Sequence, residues 1–116
     1  RRRFLPALAS RAQAERSHAE RQAVNTSCQA SAADLMKVAM LGIHRRLKQW
    51  RTHEGDQCRM VARMLLQIHD ELVLEVDTES LDQVREMVVS EMISAGRDLR
   101  VPLQVTWKSG SAFGSL

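Results

Sequence analysis

Cysteine is scarce in this chain, with only Cys28 and Cys58 among 116 residues. Two thiols without zinc-type spacing build neither a disulfide scaffold nor a zinc site, which fits a reducing compartment. Long hydrophobic runs are also missing. No stretch approaches the roughly 20 apolar residues needed to cross a bilayer. Arg1-Arg2-Arg3 followed by Phe4-Leu5-Pro6-Ala7-Leu8 has the outline of a signal peptide, but the apolar part is short and Pro6 interrupts it. The chain opens on Arg1 rather than Met, so a piece of a longer protein is expected, with room for one modest core and one domain at most.

Glycine and proline are absent from residues 65–76, LLQIHDELVLEV, and this is the stretch the chain is organised around. Met64, Leu66 and Ile68 alternate with Leu65 and Gln67 on one side of a polar tripeptide, His69-Asp70-Glu71. Leu72, Val73, Leu74 and Val76 surround Glu75 on the other. Aliphatic and β-branched residues at this density predict two short strands, half or fully buried, with the tripeptide at the bend of a hairpin. His-Asp is poor turn chemistry beside Asn-Gly or Asp-Gly, which suggests that the side chains serve another purpose. An Asp at the tip of a stiff hairpin is well placed to bind a divalent metal. The plainer account is an acidic surface turn.

Charge divides unevenly along the chain. Residues 1–51 hold 11 Lys/Arg against 3 Asp/Glu, and residues 52–116 hold 6 against 11. The balances are +8 and −5, which together make the net +3. A basic half beside an acidic half fits a phosphate-holding surface next to a metal-holding carboxylate site. An ordinary solvated surface has the same composition.

Residues 1–10 have no helical or strand period and predict an extended, basic connector, in which Arg1, Arg2 and Arg3 can neutralise phosphates. From about Arg11 the composition is helical, and Ser17 with Glu20 has capping-box spacing. Arg21, Asn25 and Gln29 fall four apart, which sets them on one stripe if the helix continues. Their long hydrogen-bonding side chains suit the DNA minor groove, where every base pair presents acceptors whatever the sequence. A polar helix face is the plainer account here too. Thr26-Ser27-Cys28 is weakly helical and predicts a break, after which Ser31 and Asp34 offer a second cap.

Ala32, Leu35, Met36, Ala39, Met40, Ile43, Leu47 and Trp50 then follow three-and-four spacing, the clearest amphipathic helix in the chain. It ends near Arg51, and residues 53–57 predict a loop; His53, Asp56 and Cys58 make no recognised ligand pattern. Beyond the hairpin, residues 77–80 look like a cap. Leu81, Val84, Val88 and Met92 predict a helix ending near Gly96. Val101, Leu103, Val105 and Trp107 alternate with polar residues and predict a strand, with Pro102 at its start suiting an edge. The Ser/Gly-rich tail predicts a loose end. The order helix, helix, hairpin, helix, strand is α+β.

LLQIHDELVLEV resembles the third polymerase motif of the A-family DNA polymerases, the palm hairpin that carries a catalytic aspartate. RRRFLP and AERQAVNTSCQASAADLMKVAM resemble the end of the fingers and the following long helix, and the final helix and VPLQV fall in the matching order. The resemblance covers nearly the whole chain. It implies residues 1–30 as the end of the fingers and a DNA-contacting helix, and residues 31–116 as a palm portion with the catalytic hairpin and a further strand. It implies template-directed transfer of a nucleotide from dNTP to a primer 3′-hydroxyl, using two Mg²⁺ ions only partly held by this chain. Asp70 would ligate metal with Glu71 assisting, His69 would touch the primer backbone, and Arg21, Asn25 and Gln29 would contact primer-template DNA.

The partner aspartate, and a nucleotide-gripping Lys and Tyr, belong to earlier motifs; this chain has no Tyr at all. The piece alone is therefore expected to be inactive, its partners being primer-template DNA, dNTP and the remainder of the same polymerase, with no membrane. Family members usually carry Gly after the glutamine and often Pro two residues before it, where this chain has Ala30 and Ser27. SHAERQAVNT and SAADLMKVAM look closer to the eukaryotic theta and nu branch, which implies a nuclear location; a mitochondrion or a bacterial cytoplasm are the alternatives. A non-catalytic DNA-binding relative is the other reading of function, and the intact His69-Asp70-Glu71 speaks against it.

Overall fold

The computed structural model describes the backbone of residues 2–54 and 57–115, and side chains for residues 2–50 and 60–114. One helix, α1 (Gln13–Gln49), accounts for 37 residues and runs about 55 Å, most of the 70 Å length of the molecule. The expected break at Thr26-Ser27-Cys28 does not occur, nor do new helices start at Ser17 or Ser31. The hydroxyls of Thr26, in the expected break, and of Ser31, an expected cap, bond one turn back instead. Thr26 Oγ1 donates to the Gln22 carbonyl at 2.6 Å and Ser31 Oγ to the Ser27 carbonyl at 2.8 Å, so both hydroxyls are satisfied inside the helix without ending it.

The start of α1 carries no side-chain cap at Ala12; the polar contacts there lie just upstream. Ser10 Oγ accepts from the Ala12 N–H at 3.1 Å and donates to Glu15 Oε2 at 2.6 Å. The connector is not wholly extended either. Pro6–Ala9 forms a 3₁₀ turn in contact with α1, because a proline in the first turn has no N–H to leave unsatisfied.

Two antiparallel ribbons follow. β1 (Arg51–Glu54) pairs with β2 (Gln57–Met60), from Arg51↔Met60 to Glu54↔Gln57. A loop was expected over 53–57, of which Gly55 and Asp56 lie outside the described residues. The polar composition hid the strands, since main-chain pairing does not require an apolar alternation. The side chains of His53, Asp56 and Cys58 also lie outside the described residues.

β3 (Ala62–Ile68) pairs with β4 (Glu71–Val76), with a register shift between Met64 and Leu66. Leu65 is thus an extra residue, a β-bulge, and it inverts the alternation beyond it. Ala62 and Met64 stand opposite Val76 and Leu74 on the core side. Leu66 stands opposite Val73 on the other face. Leu66 and Ile68, in a strand expected to be half or fully buried, are 52% and 38% exposed. A two-stranded ribbon has core on one face only.

α2 (Leu81–Ala95) is preceded by a 3₁₀ turn, Thr78–Ser80, where the cap was expected. It lies against the second half of α1. Ile43 and Leu47 of α1, Ala62 of β3, and Val84 and Met87 of α2 form the buried cluster. Trp50, Met64, Leu72, Leu74, Val76, Val88 and Met92 pack around it. Burying such aliphatic side chains stabilises by about 1.5–3 kcal/mol each, and the periodic stripes of both helices converge on this one place. The first half of α1 reaches beyond it.

The strand expected at 101–108 is not formed. The described residues hold only the two two-stranded sheets, and this segment has no ladder partner. Val101 and Trp107 are 70% and 50% exposed, while Leu103 and Val105 are half buried. Side chains hold the segment in place instead. Leu103 lies against Gly96, with no space for a side chain there, and Trp107 stacks with Arg85, whose guanidinium carbon is 4.6 Å from the ring centre. Gly96 ends α2 with φ −98°, so glycine is used for closeness rather than for left-handed backbone. The architecture is α+β, as its sequence implies.

Candidate functional site

β3 and β4 close through two residues, since Ile68 pairs with Glu71. The turn is therefore His69-Asp70, and Glu71 is the first residue of β4. The tight turns that fit strand twist need positive φ at their first central position. His69 supplies it with φ 54°, the one non-glycine with positive φ among the described residues. A histidine in this region is uncommon and carries strain of about 1–3 kcal/mol. Gln67 Nε2 donates to the His69 carbonyl at 3.1 Å and ties the turn down. His69, Asp70 and Glu71 are all exposed. The carboxylates project as oxygen donors suited to a hard divalent cation. Among the described residues no group of three or more His, Cys, Asp or Glu converges on one point. A cation at Asp70 needs further ligands from outside them.

The second expected set lies on α1. Because that helix is unbroken, Arg21, Asn25 and Gln29 do share one stripe, and all three are exposed. Arg21 and Asn25 line one shallow, open depression with Glu20, Val24 and Cys28; Gln29 is not part of its wall. Ala30 causes no strain, since its φ is negative and its place is mid-helix. Left-handed backbone is not what this position requires.

Of the connector arginines, Arg1 lies outside the described residues, and Arg2 and Arg3 are exposed. Arg3 Nη1 donates to Thr26 Oγ1 at 2.9 Å, which joins the connector to α1 one residue beyond Asn25. Neither Thr26 nor Gln67 stands out in the sequence as a site residue. Each acts on a main-chain or side-chain group that only the fold brings near.

Comparison with known proteins is consistent over the whole length. The chain is 43% identical over 113 residues to DNA polymerase I of Bacillus caldotenax, covering 97% of this chain and 12% of that protein. It is 43% identical over 115 residues to DNA polymerase I of Mycobacterium leprae, covering 99% and 12%. The chain thus spans about an eighth of the length of these relatives. Among solved structures, the POL domain of Pol1 from M. smegmatis, in complex with DNA primer-template and dNTP, superposes with a TM-score of 0.76. The identity is 39%, over 91% of this chain and 17% of that one. These relatives are bacterial and lend no support to a closeness with the eukaryotic theta and nu branch, or to a nuclear location. The family model described as DNA polymerase family A matches residues 1–115, and with this fold and these relatives the chain belongs to that family.

Proposed function

We propose that the protein carrying this segment performs template-directed DNA synthesis, joining the α-phosphate of a dNTP to a primer 3′-hydroxyl with release of pyrophosphate. The observation that carries the reading is the strained two-residue turn at His69-Asp70. It holds an aspartate at the tip of a stiff ribbon, in a family whose named relatives are DNA polymerases. Residues 1–30 are assigned to the end of the fingers and residues 31–116 to a palm portion. α1 passes through that boundary without interruption.

Asp70 would hold a divalent cation of the magnesium type, with Glu71 beside it. When bound, two such ions lower the pKa of the attacking hydroxyl and neutralise the triphosphate and leaving group. Asp70 contributes one carboxylate on a rigid support. The second carboxylate and the nucleotide-gripping side chains come from elsewhere in the parent chain. His69 contacts the primer backbone, while Arg21, Asn25 and Gln29 lie along the minor groove and hold the primer end in register. Arg1, Arg2 and Arg3 neutralise phosphates. Primer-template DNA and dNTP are the partners, and the bacterial cytoplasm is the compartment suggested by the relatives.

The test is primer extension by the full-length protein on a defined template. Incorporation should follow the template base and stop when the divalent cation is chelated. Tight DNA binding with no incorporation under any metal would establish a non-catalytic DNA-binding relative instead.

A further inference from the structure

The connector before α1 folds back along the helix, and its end is fastened at one point. Arg3 lies seven residues before Ser10, whose hydroxyl accepts from the Ala12 N–H just ahead of the helix, yet its guanidinium reaches Thr26. That is 13 residues into α1, about 20 Å along the axis. The 3₁₀ turn Pro6–Ala9 lies against the helix on the way. Arg3 is thereby placed level with the middle of the Arg21, Asn25 and Gln29 stripe, since Thr26 follows Asn25 about 100° round the helix.

The chemistry of the fastening matters as much as its place. A threonine hydroxyl has one proton and two lone pairs. The proton of Thr26 is committed to the Gln22 carbonyl at 2.6 Å, so the hydroxyl can only accept from Arg3, and its lone pair is aimed by the helix. The acceptor is also neutral. Arg16, Arg46, Arg63 and Arg85 each have a carboxylate within 4 Å, which offsets their charge. The one side-chain partner found for Arg3 among the described residues is a hydroxyl, which leaves the full positive charge and further N–H donors available.

We propose that Thr26 is a positioning residue, whose hydroxyl aims the Arg3 guanidinium at a DNA-backbone phosphate flanking the groove face of α1. The proposal rests on the reading that this face binds DNA. It divides the labour on the helix: the stripe meets the groove floor, and Arg3, held at its flank, meets the phosphate wall. Base-edge contacts then form in a register that the phosphate contact has already set.

The test is equilibrium binding of primer-template DNA by the full-length polymerase at several salt concentrations, for Arg3→Ala, Thr26→Val, Thr26→Ser and the Arg3→Ala/Thr26→Val double variant. Arg3→Ala should weaken binding and lower the slope of log K against log salt by about 0.9. Thr26→Val keeps the branched shape but not the hydroxyl, and should weaken binding about fivefold. The double variant should bind no worse than Arg3→Ala alone, because Thr26 acts only through Arg3. Thr26→Ser should bind as the wild type does. If Arg3→Ala weakens binding but Thr26→Val does not, or if the two losses add, the positioning role is wrong and the DNA-binding face stands. If Thr26→Ser is as weak as Thr26→Val, the loss is one of shape, and the proposal is overturned. If Arg3→Ala changes neither affinity nor slope, the phosphate contact itself is absent and the proposal falls with it.

Discussion

The carboxylate of Glu91 on α2 lies directly over the α-carbon of Gly42 on α1, where a methyl group would collide with it. The same carboxylate accepts from Arg46 Nη1 at 3.4 Å. Gly42 therefore admits a charged side chain between two helices that also share a core.

Two glycine substitutions should behave differently for this reason. At Gly42 the obstacle is the end of a flexible side chain. Alanine should gain up to about 1 kcal/mol of helix propensity and lose a partly exposed ion pair of similar or smaller value. Gly42→Ala should stay within about 1 kcal/mol of wild type in urea denaturation. At Gly96 the obstacle is the branched body of Leu103, backed by Leu99. Gly96→Ala should cost about 1–3 kcal/mol. Equal effects at the two positions would show that side-chain mobility is not what decides.

Asp70→Asn in the full-length protein should lower single-turnover incorporation by at least about a hundredfold while primer-template binding changes little. The amide keeps the shape of the turn but removes the charge that a cation requires. Near-normal incorporation would remove Asp70 from the metal site. The 116-residue segment alone should extend no primer under any metal condition, because it supplies only part of the ligand set.

His69→Gly should separate stability from activity. Glycine accepts φ 54° without penalty, so the fold should be at least as stable, whereas His69→Val should lose about 1–2 kcal/mol. If the imidazole contacts the primer backbone, His69→Gly should slow extension even though the hairpin is relaxed. Unchanged extension would mean that the strain serves only the turn.

Gln29→Ala removes a neutral side chain, so the salt dependence of DNA binding should stay almost as it is. Extension from a matched primer end should slow by the equivalent of roughly 1–3 kcal/mol, and extension from a mismatched end much less, because mispairs displace the groove acceptors. Ala30→Gly should leave matched extension equal or faster if the methyl crowds the DNA. Equal slowing of Gln29→Ala on both primer types would make Gln29 an ordinary helix residue.

The parts of the fold that were legible in the sequence are those set by apolar period. The spacing of Ala39, Ile43 and Leu47 names the buried face of α1, and Val84 and Val88 mark that of α2. The hairpin was legible from its two aliphatic runs. What escaped depends on partners that period cannot reveal. Thr26 reads as part of a helix break and Ser31 as a new cap, whereas both hydroxyls donate to the carbonyl one turn back. The bulge at Leu65 leaves the composition unchanged and alters only the counting, so the alternation does not show that Leu66 and Ile68 end on the exposed face. A strand at 101–108 had the right alternation and no neighbour to pair with. The placement of Asp70 at a tip was visible in advance; the positive φ of His69 that holds it there was not.

The unbroken course of α1 has a consequence for how this segment can change. Its core residues at 39–47 and its exposed stripe at 21–29 are joined by one rod, so the angle between them is a matter of helical phase. Inserting or deleting a single residue between 30 and 38 would rotate the stripe by about 100° against the core. Seven residues would restore the angle to within about 20°, yet displace the stripe by about 10 Å along the axis. If the stripe serves a site fixed to the core, exchanging side chains in that interval disturbs it less than adding or removing a residue does.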